Sequence, residues 1–417
     1  TTGILAESII KARRQDKMEY RDAFRAELKA ALAKLPYDTV RNVVKETKGG
    51  MEIISENLFI GIIMERVEPA AKSGEISQDL AGTLVNVKNS SRDYLPLKDI
   101  IVDEFSKYIA ANDVKKSDIW ATRDFSLEDQ QADGLKPVTV AIWDSGLDVN
   151  VFKDKMWVNA KEVPGNDKDD DINGFVDDVN GIGFDLHSNK TKDVIYVLDC
   201  SPEEAQQGKL FLKGFMDLTA NLDTPESSEL KKYMATLPPE NVKIFIESIS
   251  RYSIYVHGTH VGGIASDRNP AMKLLAARMT YDYHMIPELP TIEQAKKDAW
   301  AMAETVAYFK NNGVRVVNMS WGGDLRSIEV ALEQHNAGGA PEERKALARE
   351  IYKIGAEALF EAIRKAPQIL FVTSAGNSDN DVSFEEFYPS SFELPNIISV
   401  GAVDQAGDET TFTSFGK

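Results

Sequence analysis

The sequence predicts an α/β fold: a parallel sheet with helices on its faces, preceded by a helix-rich N-terminal extension. Three observations predict it. Short apolar runs of strand length recur from Val138 onward, and long amphipathic stretches separate them. Before about residue 135 the apolar residues return at helical spacing. Strands alternating with helices read as a parallel sheet, because each parallel connection has to cross back over a face. A length of 417 residues leaves room for two or three domains.

In the extension, Ile9, Ile10, Phe24, Leu28, Leu32 and Leu35 fall at helical intervals among charges. Pro36 ends that pattern. Asp38 is the expected N-cap of a second helix, which Gly49 and Gly50 would stop. A further amphipathic stretch runs from Leu97 to about Ala111. No chemical constellation marks residues 1–135, so a structural or regulatory role is expected there. The pattern changes at Gly134 to Pro137. Strands are expected at Val138–Trp143, Leu274–Arg278, Val314–Met319, Ile369–Thr373 and Ile397–Val400, each an apolar run bounded by turn signals. Helices are expected at Ile292–Asn311 and Pro341–Lys365. Residues 136–417 therefore read as one domain, interrupted at about 186–255 by an acidic, partly helical insertion.

Composition excludes several classes. Lys plus Arg is 48 against 66 Asp plus Glu, a net charge of −18. That sum repels a phosphate backbone, so no nucleic-acid partner is expected. Hydrophobic residues at 43% and charged residues at 27% suit a chain that buries a full core. The one cysteine, Cys200, excludes an intrachain disulfide framework and a cysteine zinc site. The longest apolar candidate, Leu58 to Met64, falls far short of the ~18–20 residues of a membrane helix, so no membrane span is expected. The chain opens at Thr1 with no signal peptide, as a processed or trimmed start would.

Asn166 to Asn180 reads NDKDDDINGFVDDVN. Against the calcium-loop template, Asp169, Asp171 and Asn173 take positions one, three and five. Gly174 takes the sharp turn, Phe175 offers a carbonyl at seven, and Asp177 sits at nine. Asn180 stands where a bidentate Glu is usual, which removes a charge. A hard cation wants six to eight oxygens, so Ca²⁺ in a structural role is the expected cofactor; a merely solvated acidic turn is the alternative.

Three segments carry candidate chemistry. In VTVAIWDSGLD an apolar strand ends in Asp144, where functional side chains of α/β sheets gather, although a turn-forming acid would look the same. In VHGTHVGGIAS, His257 and His260 lie among glycines that let a helix approach a sheet. A histidine with an orienting acid acts as a general base. The stretch lacks the Glu and spacing of a zinc helix. In ILFVTSAGN a buried strand ends in small residues and Asn377, an amide able to donate to an oxyanion or simply to form a turn.

In this order, with VNMSWGG between them, these words resemble the subtilisin-like serine proteases (subtilases). WDSGLD resembles the family's Asp motif, HGTHVGG its His motif and SAGNS its oxyanion-hole motif. The acidic loop and its lead-in also look like a segment found in many bacterial members. The resemblance covers roughly Val138 to Gly416, apart from the insertion, and implies a subtilisin-like three-layer domain, incomplete at its C-terminus. It implies His257 as general base, Asp144 as its orienting acid and Asn377 as oxyanion donor. Ser320, Trp321 and Gly322 match the strand that pairs with an extended polypeptide substrate, with Ala375 and Gly376 lining the pocket beside it. His260 is expected to be a structural neighbour. Trp143, bulkier than the usual residue before the acid, is expected to shape the floor near His257. The family's GTSMAxP nucleophile motif is absent. Ser374, Ser399 and Ser414 lack the strand-to-helix setting of a nucleophile, so the chain is expected to be a fragment ending before its serine. The implied function is serine endopeptidase chemistry; a catalytically inactive peptide-binding module and an unrelated metal-dependent hydrolase are the alternatives. An acidic chain with a calcium loop is expected outside the cytoplasm.

Overall fold

The computed structural model describes residues 2–72, 74, 76–114, 116, 118–119, 134–383 and 385–416. The stretch 120–133, which leads to the expected boundary near residue 135, lies outside them. Two compact units emerge: Thr1–Ser117 with Cys200–Ile249, and Asp118–Asp199 with Ser250–Lys417. Residues 200–249, read from the sequence as part of an insertion, thus group with the N-terminal helices.

The first unit is helical. It contains α1 (Thr2–Ala12), α2 (Tyr20–Leu32), α3 (Tyr37–Ile53), α4 (Glu56–Ile62), α5 (Glu68–Ala71), α6 (Gln78–Asn89), α7 (Lys98–Asn112), α8 (Pro202–Thr219) and α9 (Pro225–Thr236). Leu5, Ile9, Phe24, Leu28, Leu32, Ile101 and Phe105 form one core, as their spacing requires. Phe211, Leu230, Met234, Val242 and Phe245 form a second. Helices α8 and α9 each open on a capping box, Ser201 with Glu204 and Thr224 with Ser227, followed by Pro at the first helical position. Two local expectations fail. Asp38 lies inside the first turn of α3, whose N-cap is Pro36. Gly49 and Gly50 do not stop α3, which runs on to Ile53. At Gly49 a Cβ would collide with the Leu218 carbonyl, so this glycine serves close packing against α8 rather than termination.

The second unit is a mixed α/β body around a seven-stranded sheet. The strands are β1 (Val138–Asp144), β2 (Gly181–Phe184), β3 (Lys190–Thr191), β4 (Met272–Arg278), β5 (Val316–Met319), β6 (Leu370–Ser374) and β7 (Ile397–Val400). Their order is β3-β2-β4-β1-β5-β6-β7. All pairs are parallel except β2 with β3. The helices are the Ser250–Ser266 part of α10 (Val242–Ser266), α11 (Ile292–Asn311), α12 (Leu325–Gln334) and α13 (Pro341–Arg364).

Alternation along β1 sorts the core onto two faces. Ala141 and Trp143 pack with Val306 and Phe309 of α11 and Leu359 and Ile363 of α13. Val140 and Ile142 pack with Leu147 and Phe152, against which Val261 and Ala265 of α10 rest. Trp143 therefore points to the α11 side, edge-on to Phe309 and Trp321 with ring centroids 5.6 and 5.0 Å away. It does not floor the α10 side that carries His257.

Among the described residues, no helix is long and apolar enough to cross a membrane.

Helix α10 approaches the end of β1 through Gly258, where a Cβ would run into the Gly146 carbonyl oxygen. Gly258→Ala is expected to cost about 1–3 kcal/mol or more, because the obstacle is backbone and cannot rotate away. A thermal midpoint unchanged by this substitution would show that the helix is not seated so closely.

Candidate active site

Asp144 is the last residue of β1 and is fully buried. Its Oδ1 lies 2.7 Å from His257 Nδ1 and accepts the Ser145 N–H at 2.6 Å. The two residues are 113 apart in the chain, and three polar links bring them together. Ser145 Oγ donates to the Ile254 carbonyl at 2.5 Å and accepts the Gly258 N–H at 3.2 Å. Thr259 Oγ1 accepts the Asp148 N–H at 3.0 Å. Gly146, at φ +123°, makes the turn between strand and loop. The Asp144 hydrogen bond raises the His257 imidazole above its ordinary pKa; burial opposes this, and the carboxylate charge adds to the rise. The His257 side chain remains 44% exposed, so one ring edge is open to a reacting partner while Nδ1 is held.

Asn377 lies just past the carboxyl end of β6, on the same edge of the parallel sheet as Asp144 at the end of β1. It is exposed, and its side chain has no hydrogen bond among the described residues. The backbone beneath is fixed. The Ala375 N–H donates to the Val400 carbonyl, and the Gly376 carbonyl accepts from Ser414. Gly376 turns with φ +108°.

Ser320, Trp321 and Gly322 follow β5, between the β1 and β6 ends. Gly323 exchanges two backbone hydrogen bonds with Tyr388, which ties down the far end of this segment. At Gly322 a Cβ would strike the Phe387 ring, so the segment and the 387–388 turn need this glycine. Beside it lies a cavity of about 290 Å³ whose walls include Trp143, Tyr281, Asp298, Met302, Trp321 and Tyr388. Ala375 is buried. His260 makes no such constellation; it lines a separate groove with Asp148, Phe152 and Tyr255.

The acidic loop distributes its side chains unequally. Asp169 accepts the N–H groups of Asn173 and Gly174. Asp177 accepts those of Gly165, Asn166 and Asp167. Asn180 donates to the Trp157 carbonyl, and Asn173 donates to Asp178. Phe175 is buried against Phe184 and Tyr308. Asp171 alone of the six template residues joins a tight acidic cluster, with Glu162 and Asp178. In it Glu162 Oε2 and Asp171 Oδ1 are buried without a partner among the described residues. Burial pushes the Glu162 carboxyl up, and neighbouring Asp178 and Asp170 add to the rise. Unpaired buried carboxylate oxygens fit a bound cation, which this cluster could hold.

A model of the subtilase family matches residues 136–417, more than half of the chain. The chain belongs to the subtilase family. Among solved structures, this subtilase is similar to a lanthipeptide protease at 16% identity, over 68% of this chain and 54% of that one, with a TM-score of 0.31. It is similar to the PatG macrocyclase domain at 15% identity, over 67% and 61% of the two chains, with a TM-score of 0.33. A third similar structure is the epidermin leader peptide processing serine protease of Staphylococcus aureus, at 18% identity over 36% and 32%, with a TM-score of 0.23. The subtilase thus spans little more than half the length of the first of these chains. No curated protein matches it.

Several residues of the subtilase's site carry no sequence signal strong enough to single them out. Ser145 and Thr259 read as ordinary small polar residues, yet they staple α10 to the β1 loop. Tyr281 is partly buried, and its buried hydroxyl oxygen has no partner among the described residues, nor has Asp144 Oδ2. Burial drives the Tyr281 hydroxyl well above the usual range, and the Asp144 charge adds to this. Glu162 and Asp178 went unnoticed because the loop template counts alternate positions after Asp169, and neither falls on one.

Proposed function

We propose that this domain serves serine-type endopeptidase chemistry on extended polypeptides, with Asp144 and His257 as the acid–base pair and Asn377 as oxyanion donor. The observation that carries the reading is the 2.7 Å contact between a fully buried carboxylate and Nδ1 of a half-exposed imidazole. That arrangement fixes the tautomer, leaves Nε2 to accept a hydroxyl proton, and stabilises the imidazolium that results. Ser320, Trp321 and Gly322, with Ala375 and Gly376, form the proposed peptide-pairing edge, and the adjoining aromatic cavity receives a substrate side chain. Calcium is proposed as a structural ion at the acidic loop.

The nucleophilic hydroxyl is proposed to come from outside residues 134–416. Three of the nearby serines are committed elsewhere. Ser145 bonds within the β1–α10 junction, Ser320 Oγ donates to Asn318, and Ser414 Oγ donates to Asn380. Fluorophosphonate labelling and peptide hydrolysis test this. Residues 1–417 are expected to stay unlabelled. A polypeptide joining this domain to a nucleophilic serine is expected to be labelled at that serine and to cleave peptides. Stoichiometric labelling of 1–417 would put the nucleophile among its own serines. Peptide binding without cleavage in the joined form would instead make the domain a binding module.

A further inference from the structure

We propose that the cavity beside the peptide-pairing edge takes a cationic substrate side chain, arginine or lysine, and that Asp298 of α11 selects it. This rests on the peptide-pairing reading of Ser320, Trp321 and Gly322 given above. Asp298 lines the cavity of about 290 Å³ together with Ala301, Met302 and Thr305, at the i+3, i+4 and i+7 positions of the same helix. The four therefore share one helix face. Ala301, Met302 and Thr305 are buried. Asp298 continues that buried stripe, where an apolar side chain is the ordinary choice.

The two oxygens of Asp298 differ. Oδ1 accepts hydrogen bonds from Ser188 Oγ at 2.5 Å and Gln294 Nε2 at 2.7 Å. Among the described residues Oδ2 has no hydrogen bond and the carboxylate no salt bridge. Burial pushes this carboxyl above its ordinary range, although both hydrogen bonds and the charges of His187 and Lys297 pull it down. Asp298 is thus a desolvated acid short of a compensating cation. The other charges that line the cavity are already answered. Asp185 and Asp282 have both oxygens engaged in hydrogen bonds. Arg278 donates to the Ile195 carbonyl at 2.8 Å and feels the charges of Asp193 and Asp185.

The walls suit the same ligand. Trp143, Tyr281, Trp321 and Tyr388 supply aromatic rings, which attract a cation and bury its aliphatic stem. The Tyr281 hydroxyl oxygen, buried without a partner among the described residues, can accept from an N–H. A guanidinium or ammonium brings only donors, the counterpart of a phenol and an uncommitted carboxylate oxygen. A glutamate side chain would meet Asp298 as a like charge. Glutamine is the stronger rival, since its carbonyl would serve Trp321 Nε1, a buried donor without a partner among the described residues. It would, however, leave the Asp298 charge uncompensated.

Extended peptides carrying arginine, its uncharged near-isostere citrulline, glutamine or glutamate at one position at a time test the assignment. Cleavage is measured as kcat/KM in the form joined to the nucleophilic serine, and binding to residues 1–417 by fluorescence anisotropy. At one position arginine is expected to exceed citrulline at least ~10-fold in both measurements. Asp298→Asn, which keeps an acceptor for Ser188 and Gln294, is expected to shrink that ratio to within about threefold. Asp298→Glu should keep most of it. Asp298→Ser gives a second loss of the ratio should Asp298→Asn fail to fold. Cleavage with no position that separates arginine from citrulline, or with glutamine or glutamate preferred there, overturns the inference and leaves the peptidase reading standing. An arginine preference that survives Asp298→Asn likewise removes Asp298 as its source and overturns the assignment. If nothing is cleaved but 1–417 binds the arginine peptide by a preference that Asp298→Asn abolishes, the peptidase reading falls and the cationic subsite stands. If peptides are neither cleaved nor bound, both fall.

Discussion

Asp144→Asn, in a form of the domain joined to the proposed nucleophilic serine, is expected to lower peptide turnover by about 10⁴, the loss known for the same change in other serine peptidases. The cause lies in this geometry. His257 Nδ1 meets Asp144 Oδ1 at 2.7 Å, so the proton sits on Nδ1 and Nε2 is free to act as base. An asparagine can turn its amide N–H toward Nδ1, which draws the proton to Nε2 and leaves the base blocked. The shape changes little, so KM should move far less than kcat, and a stability loss large enough to explain the effect would count against the assignment. Residues 1–417 provide an independent readout that needs no serine. In the wild type the Asp144 hydrogen bond holds the His257 pKa above about 6.5. The raised value means that this pair adds stability fully below about pH 6.5, and that the increment fades as pH rises through the elevated titration point. In Asp144→Asn the His257 titration, followed by NMR of the ring protons, is expected to fall, and this part of the pH dependence to vanish. An unchanged His257 titration would show that the carboxylate does not control the imidazole.

The parts of this molecule that could be read from sequence are those where one local pattern decides the structure. Val138 to Asp144 is apolar, bounded by turns and long enough for one strand; it became β1, with the acid at its carboxyl end. The five expected strands all appear in the sheet, with ends shifted by a residue or two. What could not be read depends on approach between distant segments. Strand β2 is GIGF, with little β-branched character, and it exists because Gly181, at φ +137°, lets its backbone lie against Ala276 where a Cβ would clash. Gly49 is inside a helix for a similar reason, since Leu218 comes from a segment 169 residues away. Likewise, the grouping of 200–249 with the N-terminal helices rests on apolar faces such as Phe211 and Leu230, whose partners sequence spacing does not name. At the site, the motif words led to Asp144, His257 and Asn377, but not to Ser145 and Thr259, because a single hydroxyl has no period. In the acidic loop a template of alternate positions names Asp169 and Asp177, whereas the tight carboxylate cluster joins Asp171 to Glu162 and Asp178, two residues the template does not count.

Asn377→Ala is expected to reduce kcat by about 10²–10³ with little change in KM, a magnitude established for the corresponding donor in subtilisin and not calculated from this geometry. The expectation for this chain rests on what holds the amide. A donor contributes to an oxyanion only if it is already in place, so that no reorganisation accompanies charge development. Here the backbone leading to Asn377 is anchored on both sides, by the Ala375–Val400 and Ser414–Gly376 hydrogen bonds, while the side chain itself is exposed and without a partner among the described residues. A stiff base with an uncommitted amide is the arrangement that stabilises charge appearing late in the reaction and adds little to substrate binding. Comparison with Asn377→Asp sharpens the test. The carboxylate has nearly the same shape, yet it cannot donate and repels a developing negative charge, so it should be at least as damaging as alanine. If Asp at 377 retained substantially more activity than Ala, the residue would be acting through shape or packing, and the oxyanion donor would have to be sought in the backbone N–H groups nearby.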